Sequence, residues 1–377
     1  MRESEHDEYT ACRTFFAPAV SQDIGRRRVH GGRITTDPAI SQGATKIKMT
    51  LPWLPQGAQL FPFIARNKGY WRSRGLDVEI ARGFGSGAAI QALSQSQFDV
   101  ALIATPTVLL SNARGLETVS MGIAGYDITM GLMSLEDGPV KSVKDLEGRR
   151  LGSTPTSVEV PYIAPFLERS GVAMSKVNQA QLAANVLETA LINKQVDAIS
   201  AVATSNMPNL IAQGIKFRFF PFSTQGVKIY ANAFLTTPQY LAANRSICQA
   251  WVDGLSDSIK FCMTNFDESV EIFLKEVPEV RMSSTGKEFT KLGFGLFLAT
   301  QIAPEVIDNG IGWMDLASVD NQIDLVMKFV APSDAKRPVV AQTWTNDFVG
   351  KIKLTQPEVA SARAAASDYS KMLSFMT

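Results

Sequence analysis

From Lys46 onward, short apolar runs alternate with stretches whose apolar residues recur at helical spacing. Ile47 to Trp53 reads as a strand ending in a Pro/Gln/Gly turn. A helix-like segment follows, and Gly75 stops it before a second strand at Leu76 to Ile80. Gly85-Ser86-Gly87 opens a helix reaching about Ser94, and Asp99 to Ala104 is an apolar strand. Thr105-Pro106-Thr107 starts the next helix, which ends at Gly115. Two apolar stretches come next, Thr118 to Ala124 and Ile128 to Leu135. Leu151 to Ser153 is a further strand, with Thr154 to Ser157 beginning its helix. LETALINKQVDAISAV then reads as helix and strand. Ile247, Trp251, Leu255, Ile259 and Cys262 mark one face of a long helix. Lys351 to Thr377 predicts a terminal helix with Val359, Ala362, Ala366, Tyr369 and Leu373 on one side. Strands alternating with helices predict an α/β fold with mostly parallel sheets.

Residues 1–45 stand apart as a leader or disordered tail: polar, with Arg but no Lys, and without a helical or strand period. Arg26-Arg27-Arg28 suggests an export signal, but no apolar stretch follows it.

Composition narrows the functional classes. With 377 residues, 45% hydrophobic and 19% charged, the chain can form two or more core-bearing units. Lys+Arg 37 against Asp+Glu 36 leaves a net charge of +1, and the basic residues are scattered, so no nucleic-acid partner is expected. No apolar run approaches the ~18–20 residues of a membrane span. Cys12, Cys248 and Cys262 form no metal or redox motif. Both histidines, His6 and His30, lie in the tail. From Gly31 onward a Ser-His or Cys-His pair is therefore excluded, and so is an imidazole metal ligand. No catalytic residue, metal or cofactor is expected.

LPWLPQGAQLFPFIARNKGYWRSRGLDVEI, residues 51–80, resembles the first lobe of periplasmic solute-binding proteins of ABC importers in the nitrate/sulfonate/taurine superfamily. SVKDLEGRRLGSTP resembles their passage into a second lobe, although Gln195 stands where the later helix end usually has Gly. YANAFLTTPQYL resembles the return strand. NGIGWMDLASVDNQIDLVMKFV and TWTNDFV resemble the ending of formylaminopyrimidine-binding proteins, which capture a thiamine pyrimidine precursor. The resemblance implies a type II periplasmic-binding-protein fold. Lobe one would hold residues 46–140 and 233–350, lobe two 141–232, and a terminal helix 351–377. It implies a monomer outside the cytoplasm that hands a small molecule to an ABC permease and, through it, to an ATPase.

Ligand contacts in such a fold come from helix N-termini and strand ends facing the cleft. Trp53 offers a ring face and Gln56 an amide. Gly85, Ser86 and Gly87 open a helix where backbone N–H groups can approach a ligand. Thr105 and Thr107 sit at another strand-to-helix turn, where a simple N-cap or ST-turn is the favoured explanation for either one alone. Thr154, Ser157 and Glu159 begin the lobe-two helix; the carboxylate should be held ionised by the helix dipole. Asn206, Tyr230 and Asn232 complete the candidate set. These loops hold no obvious cation, which points to a neutral or weakly basic heteroaromatic ligand. An anion such as nitrate, a sulfonate or taurine is the alternative, because helix N-termini alone bind anions. A pyrimidine-synthase-like enzyme on the same fold is a further alternative. The resemblance gives that enzyme an active-site His and a cysteine-rich run, and this domain has neither.

Overall fold

The computed structural model describes residues 43–374. Cys12, His6, His30 and Arg26-Arg27-Arg28 lie outside them. The strands are β1 (Thr45–Thr50), β2 (Leu76–Ala81), β3 (Val100–Ala104), β4 (Val119–Ala124), β5 (Met130–Leu135), β6 (Arg150–Ser153), β7 (Asn178–Gln181), β8 (Ala198–Val202), β9 (Phe217–Pro221) and β10 (Asn232–Thr236). They form two five-stranded sheets, ordered β2-β1-β3-β10-β4 and β7-β6-β8-β5-β9. In the first, β1 runs parallel to β2 and β3, while β10 runs antiparallel to β3 and β4. In the second, β6 runs parallel to β7 and β8, while β5 runs antiparallel to β8 and β9. Each sheet thus receives one antiparallel strand from chain that arrives from the other sheet.

This exchange corrects one boundary. Residues up to 140 were expected in the first half, yet Met130–Leu135 is an inner strand of the second sheet. All six of its residues are buried, as are those of β4. A strand buried on both faces reads as one apolar run, so its pattern does not reveal which sheet takes it.

The sheets are joined by two short crossovers, residues 125–129 and 226–231, that pair with each other. Ile128 N–H donates to Ile229 C=O at 3.0 Å, and Ala231 N–H to Gly125 C=O at 2.9 Å. Gly125 has φ 82°, and a Cβ there would lie 2.8 Å from the Ala231 Cβ. The helix Gly286–Gln301 is a further link: it packs on both α6 (Ala203–Ala212) and the turn Gly57–Gln59. Its Phe294 and Phe297 join the main core, while Leu296 joins the core behind the second sheet.

The carboxyl-terminal helix runs Gln356–Ser374, starting later than Lys351. Thr355 sets that start. Its hydroxyl accepts from Glu358 N–H at 3.4 Å while the Glu358 carboxylate accepts from Thr355 N–H at 2.7 Å, a reciprocal cap. Val359, Ala362 and Ala366 face inward, and the Tyr369 ring stacks on Phe266 at 5.9 Å. The TNDF segment is structural. The Asn346 side chain accepts from Met314 N–H at 3.0 Å and donates to Met314 C=O at 2.8 Å, fixing the GWMD turn. Cys248 and Cys262 share the helix Arg245–Thr264 as buried free thiols, each pushed up to about 12 by burial.

Gly125→Ala should destabilise the protein by about 2–4 kcal/mol, combining a left-handed backbone cost with overpacking between the crossovers. Urea unfolding measures it. A loss under about 0.5 kcal/mol would show that the crossovers separate at little cost, contrary to their tight pairing.

Candidate functional site

A cavity of about 60 Å³ lies where both crossovers face the gap between the sheets. Its walls come from loops at the ends of strands, the position that open α/β sheets use for ligands. Pro52 and Trp53 follow β1, and Gln59 sits in the short turn after them. Ser86 opens α2 (Ser86–Ser94), and Ala104 ends β3. Asp127, Ile128, Ala231 and Asn232 belong to the crossovers and the start of β10. The second half supplies Ser157, Val158 and Glu159, then Leu187 and residues around the start of α6. Phe297 and Thr300 come from the helix Gly286–Gln301.

Glu159 is the central polar group. It is 1% exposed. Its Oε2 accepts from the Ser157 hydroxyl and its Oε1 from the Ser200 hydroxyl, each at 2.7 Å. Burial raises its pKa above the ordinary carboxylate value, and the two hydroxyls only partly offset this. The expectation of a lowered pKa was therefore wrong. The helix Val160–Arg169 starts after Thr154, so Glu159 precedes it. There the dipole's contribution is smaller than the loss of water around a sealed carboxyl. Asp127 shares the trend: desolvation raises its pKa, opposed by the Thr129 N–H and by Lys228. Among the described residues, no Lys, Arg or His lines this cavity.

Of the thirteen residues proposed from sequence, Trp53, Ser86, Ser157, Glu159, Asn206 and Asn232 come together in this lining. Asn206 has its side chain occupied, accepting from Val202 N–H and donating to the Glu188 carboxyl, both at 2.7 Å. Several others hold the halves together instead. Gln56 Nε2 donates across the gap to the Ser205 hydroxyl at 2.6 Å. Gly87 N–H donates to Thr156 C=O at 3.1 Å, and the Thr156 hydroxyl donates to Phe84 C=O. Gly85, at φ 109°, is needed for this approach, because a Cβ there would lie 2.4 Å from Thr156 Oγ1. Thr105 and Thr154 are buried outside the lining, each with an unpartnered hydroxyl. Thr107 is half-buried on α3 (Thr105–Ala113). Tyr230 turns away, its hydroxyl donating to Glu305 Oε1 at 3.0 Å.

Sequence reasoning missed Gln59, Asp127, Phe297 and Thr300. Gln59 was legible as a second glutamine three residues after Gln56. Asp127 sits between two apolar runs, and the other two lie on a helix distant in sequence. A second cavity, of about 310 Å³, adjoins the first and shares Asp127 and Thr300 with it.

Two α/β halves of identical strand order, exchanging strands through paired crossovers with a cavity between them, define a type II periplasmic-binding-protein fold. The alkanesulfonate-binding protein of Xanthomonas axonopodis pv. citri, solved bound to MOPS, is similar in fold. Its TM-score is 0.61 at 15% identity, covering 80% of this chain and 98% of that one. A family model described as NMT1/THI5 like matches residues 59–269, and the chain belongs to that family. The formylaminopyrimidine-binding protein of Halalkalibacterium halodurans is 22% identical over 250 residues, 63% of this chain and 76% of that protein. The 4-amino-5-hydroxymethyl-2-methylpyrimidine phosphate synthase of Schizosaccharomyces pombe is 23% identical over 152 residues, 40% of this chain and 43% of that one.

The raised pKa of Glu159 gives a signed pH prediction. Unfolded, the group titrates near 4.5; folded, it titrates higher. Between those values the folded state holds the extra proton, so stability falls as pH rises through the window. Glu159→Gln keeps an acceptor for one serine, offers an N–H to the hydroxyl oxygen of the other, and removes that slope. In thermal melts without ligand, the variant should gain on the wild type as pH rises above 4.5. A variant whose deficit is equal at every pH would contradict the assignment.

Proposed function

We propose that this protein is the solute-binding subunit of an ABC importer, acting outside the cytoplasm, and that its ligand is a donor-rich heteroaromatic molecule resembling the thiamine pyrimidine. One observation carries the ligand class: the cavity encloses the Glu159 carboxyl and, among the described residues, is lined by no cationic side chain. A carboxyl in a desolvated pocket favours an amino or protonated ring nitrogen and disfavours an anion. Trp53 and Phe297 add apolar ring surface on which a flat heterocycle can lie. The name of the Halalkalibacterium relative points the same way.

Nitrate or a sulfonate is supported only by likeness of fold. The site residues would be Trp53, Ser86, Ser157, Glu159 and Asn232 from the sequence reading, joined by Gln59 and Asp127. The remaining sequence candidates serve closure and packing. Capture needs closure of the halves and no bond chemistry, so the ligand leaves unchanged; a closed form differing from the open one is what a permease can read. The synthase relative makes the enzyme reading the one to test against.

Titration calorimetry with 4-amino-5-hydroxymethyl-2-methylpyrimidine, ethanesulfonate and nitrate separates these readings. The pyrimidine should bind and be recovered with its mass unchanged. Trp53→Ala should weaken it by about 1–3 kcal/mol, the scale of stacking on a base-like ring. Tighter binding of either anion, or a changed pyrimidine mass, would overturn the proposal.

A further inference from the structure

The Gln59 side chain stands out among the polar groups of the cavity. The residue is 5% exposed and lines the same space as Glu159. Its backbone N–H donates to Gln56 C=O at 2.9 Å, which fixes the turn. Its Oε1 is buried without any hydrogen-bond partner. Buried polar atoms in folded proteins are almost always paired, and leaving one unpaired is destabilising. Asn206, in the same lining, shows the usual outcome, with both ends of its amide engaged by protein.

Resting on the functional reading above, we propose that Gln59 determines specificity by accepting an N–H from the ligand, so that the site selects rings bearing an exocyclic amino group. The cavity then presents two separate acceptors, the Glu159 carboxyl and the Gln59 amide oxygen. A ligand that satisfies both carries at least two hydrogen-bond donors. A ring without its amino group leaves one acceptor buried and unmatched, and sites built to bond a polar group reject analogues lacking it. The same unpaired oxygen makes Gln59 a cost to the ligand-free protein. That separates a recognition role from a structural one: a residue kept for packing is missed when replaced, and a residue kept for its ligand is not.

The test uses Gln59→Leu, which preserves volume and removes the amide. Two readouts are taken on the full chain. Without ligand, the variant should melt at or above the wild-type temperature. In titration calorimetry with 4-amino-5-hydroxymethyl-2-methylpyrimidine and the same ring lacking the 4-amino group, the wild type should prefer the amino ring by about ten- to a hundredfold. The variant should bind the amino ring about tenfold or more weakly and the other ring within about twofold of wild type, so the preference collapses. A variant that melts lower and loses affinity for both rings equally, or one that keeps the wild-type preference, would overturn the role of Gln59 while the functional reading stands. A wild type that binds neither ring overturns the functional reading and this assignment with it.

Discussion

Everything in this architecture depends on the pairing of two short crossovers. Residues 125–129 carry the chain out of the first sheet and 226–231 carry it back, and two backbone hydrogen bonds hold them side by side. Because the crossovers pair, each delivers its next strand antiparallel into the middle of a sheet. β5 enters between β8 and β9, and β10 between β3 and β4. The floor of the cavity is this same pair, through Asp127, Ile128, Ala231 and Asn232. The two covalent connections between the halves run through these residues, so on the proposed reading ligand contacts and hinge share one piece of backbone.

Around that floor the polar groups divide by role. Gln56, Phe84, Gly87 and Thr156 bond one half to the other at the rim. Glu159, held by two serine hydroxyls, is sealed inside with no cation among the lining residues. Desolvating a carboxyl without a counter-charge is unfavourable, and such an arrangement is kept where a ligand completes it. On the proposed reading, rim groups set how readily the halves stay closed, and inner groups set what they close upon. Both sets belong to the strand-end loops, which explains why a sequence reading merges them.

Eight of the ten strands were legible from apolar runs such as VALIA in β3 or from resemblance, whereas β7, polar and mostly exposed, and the half-buried β9 were not read as strands. The partner of β5 was not legible, since a strand buried on both faces carries no mark of its sheet. Trp53 and Glu159 could be found because each follows a strand in a loop of the right kind. The glycines at 85 and 87 gave a helix start but not its purpose. Their need for close approach arises from Thr156, about seventy residues on, which only the fold brings near. Phe297 and Thr300 carry no local signal, because a cavity-facing aromatic on a helix looks like any core residue. The direction of the Glu159 shift was misjudged for a related reason: helix position is visible in sequence and burial is not.

The most direct test is a crystal structure of the protein with an aminopyrimidine. The account places a ring nitrogen or amino group of the ligand within hydrogen-bond distance of the Glu159 carboxyl, about 2.7–3.2 Å, with the ring against Trp53. Ligand in the second cavity, beside Lys228, or a ring in the first cavity out of reach of Glu159, would contradict it.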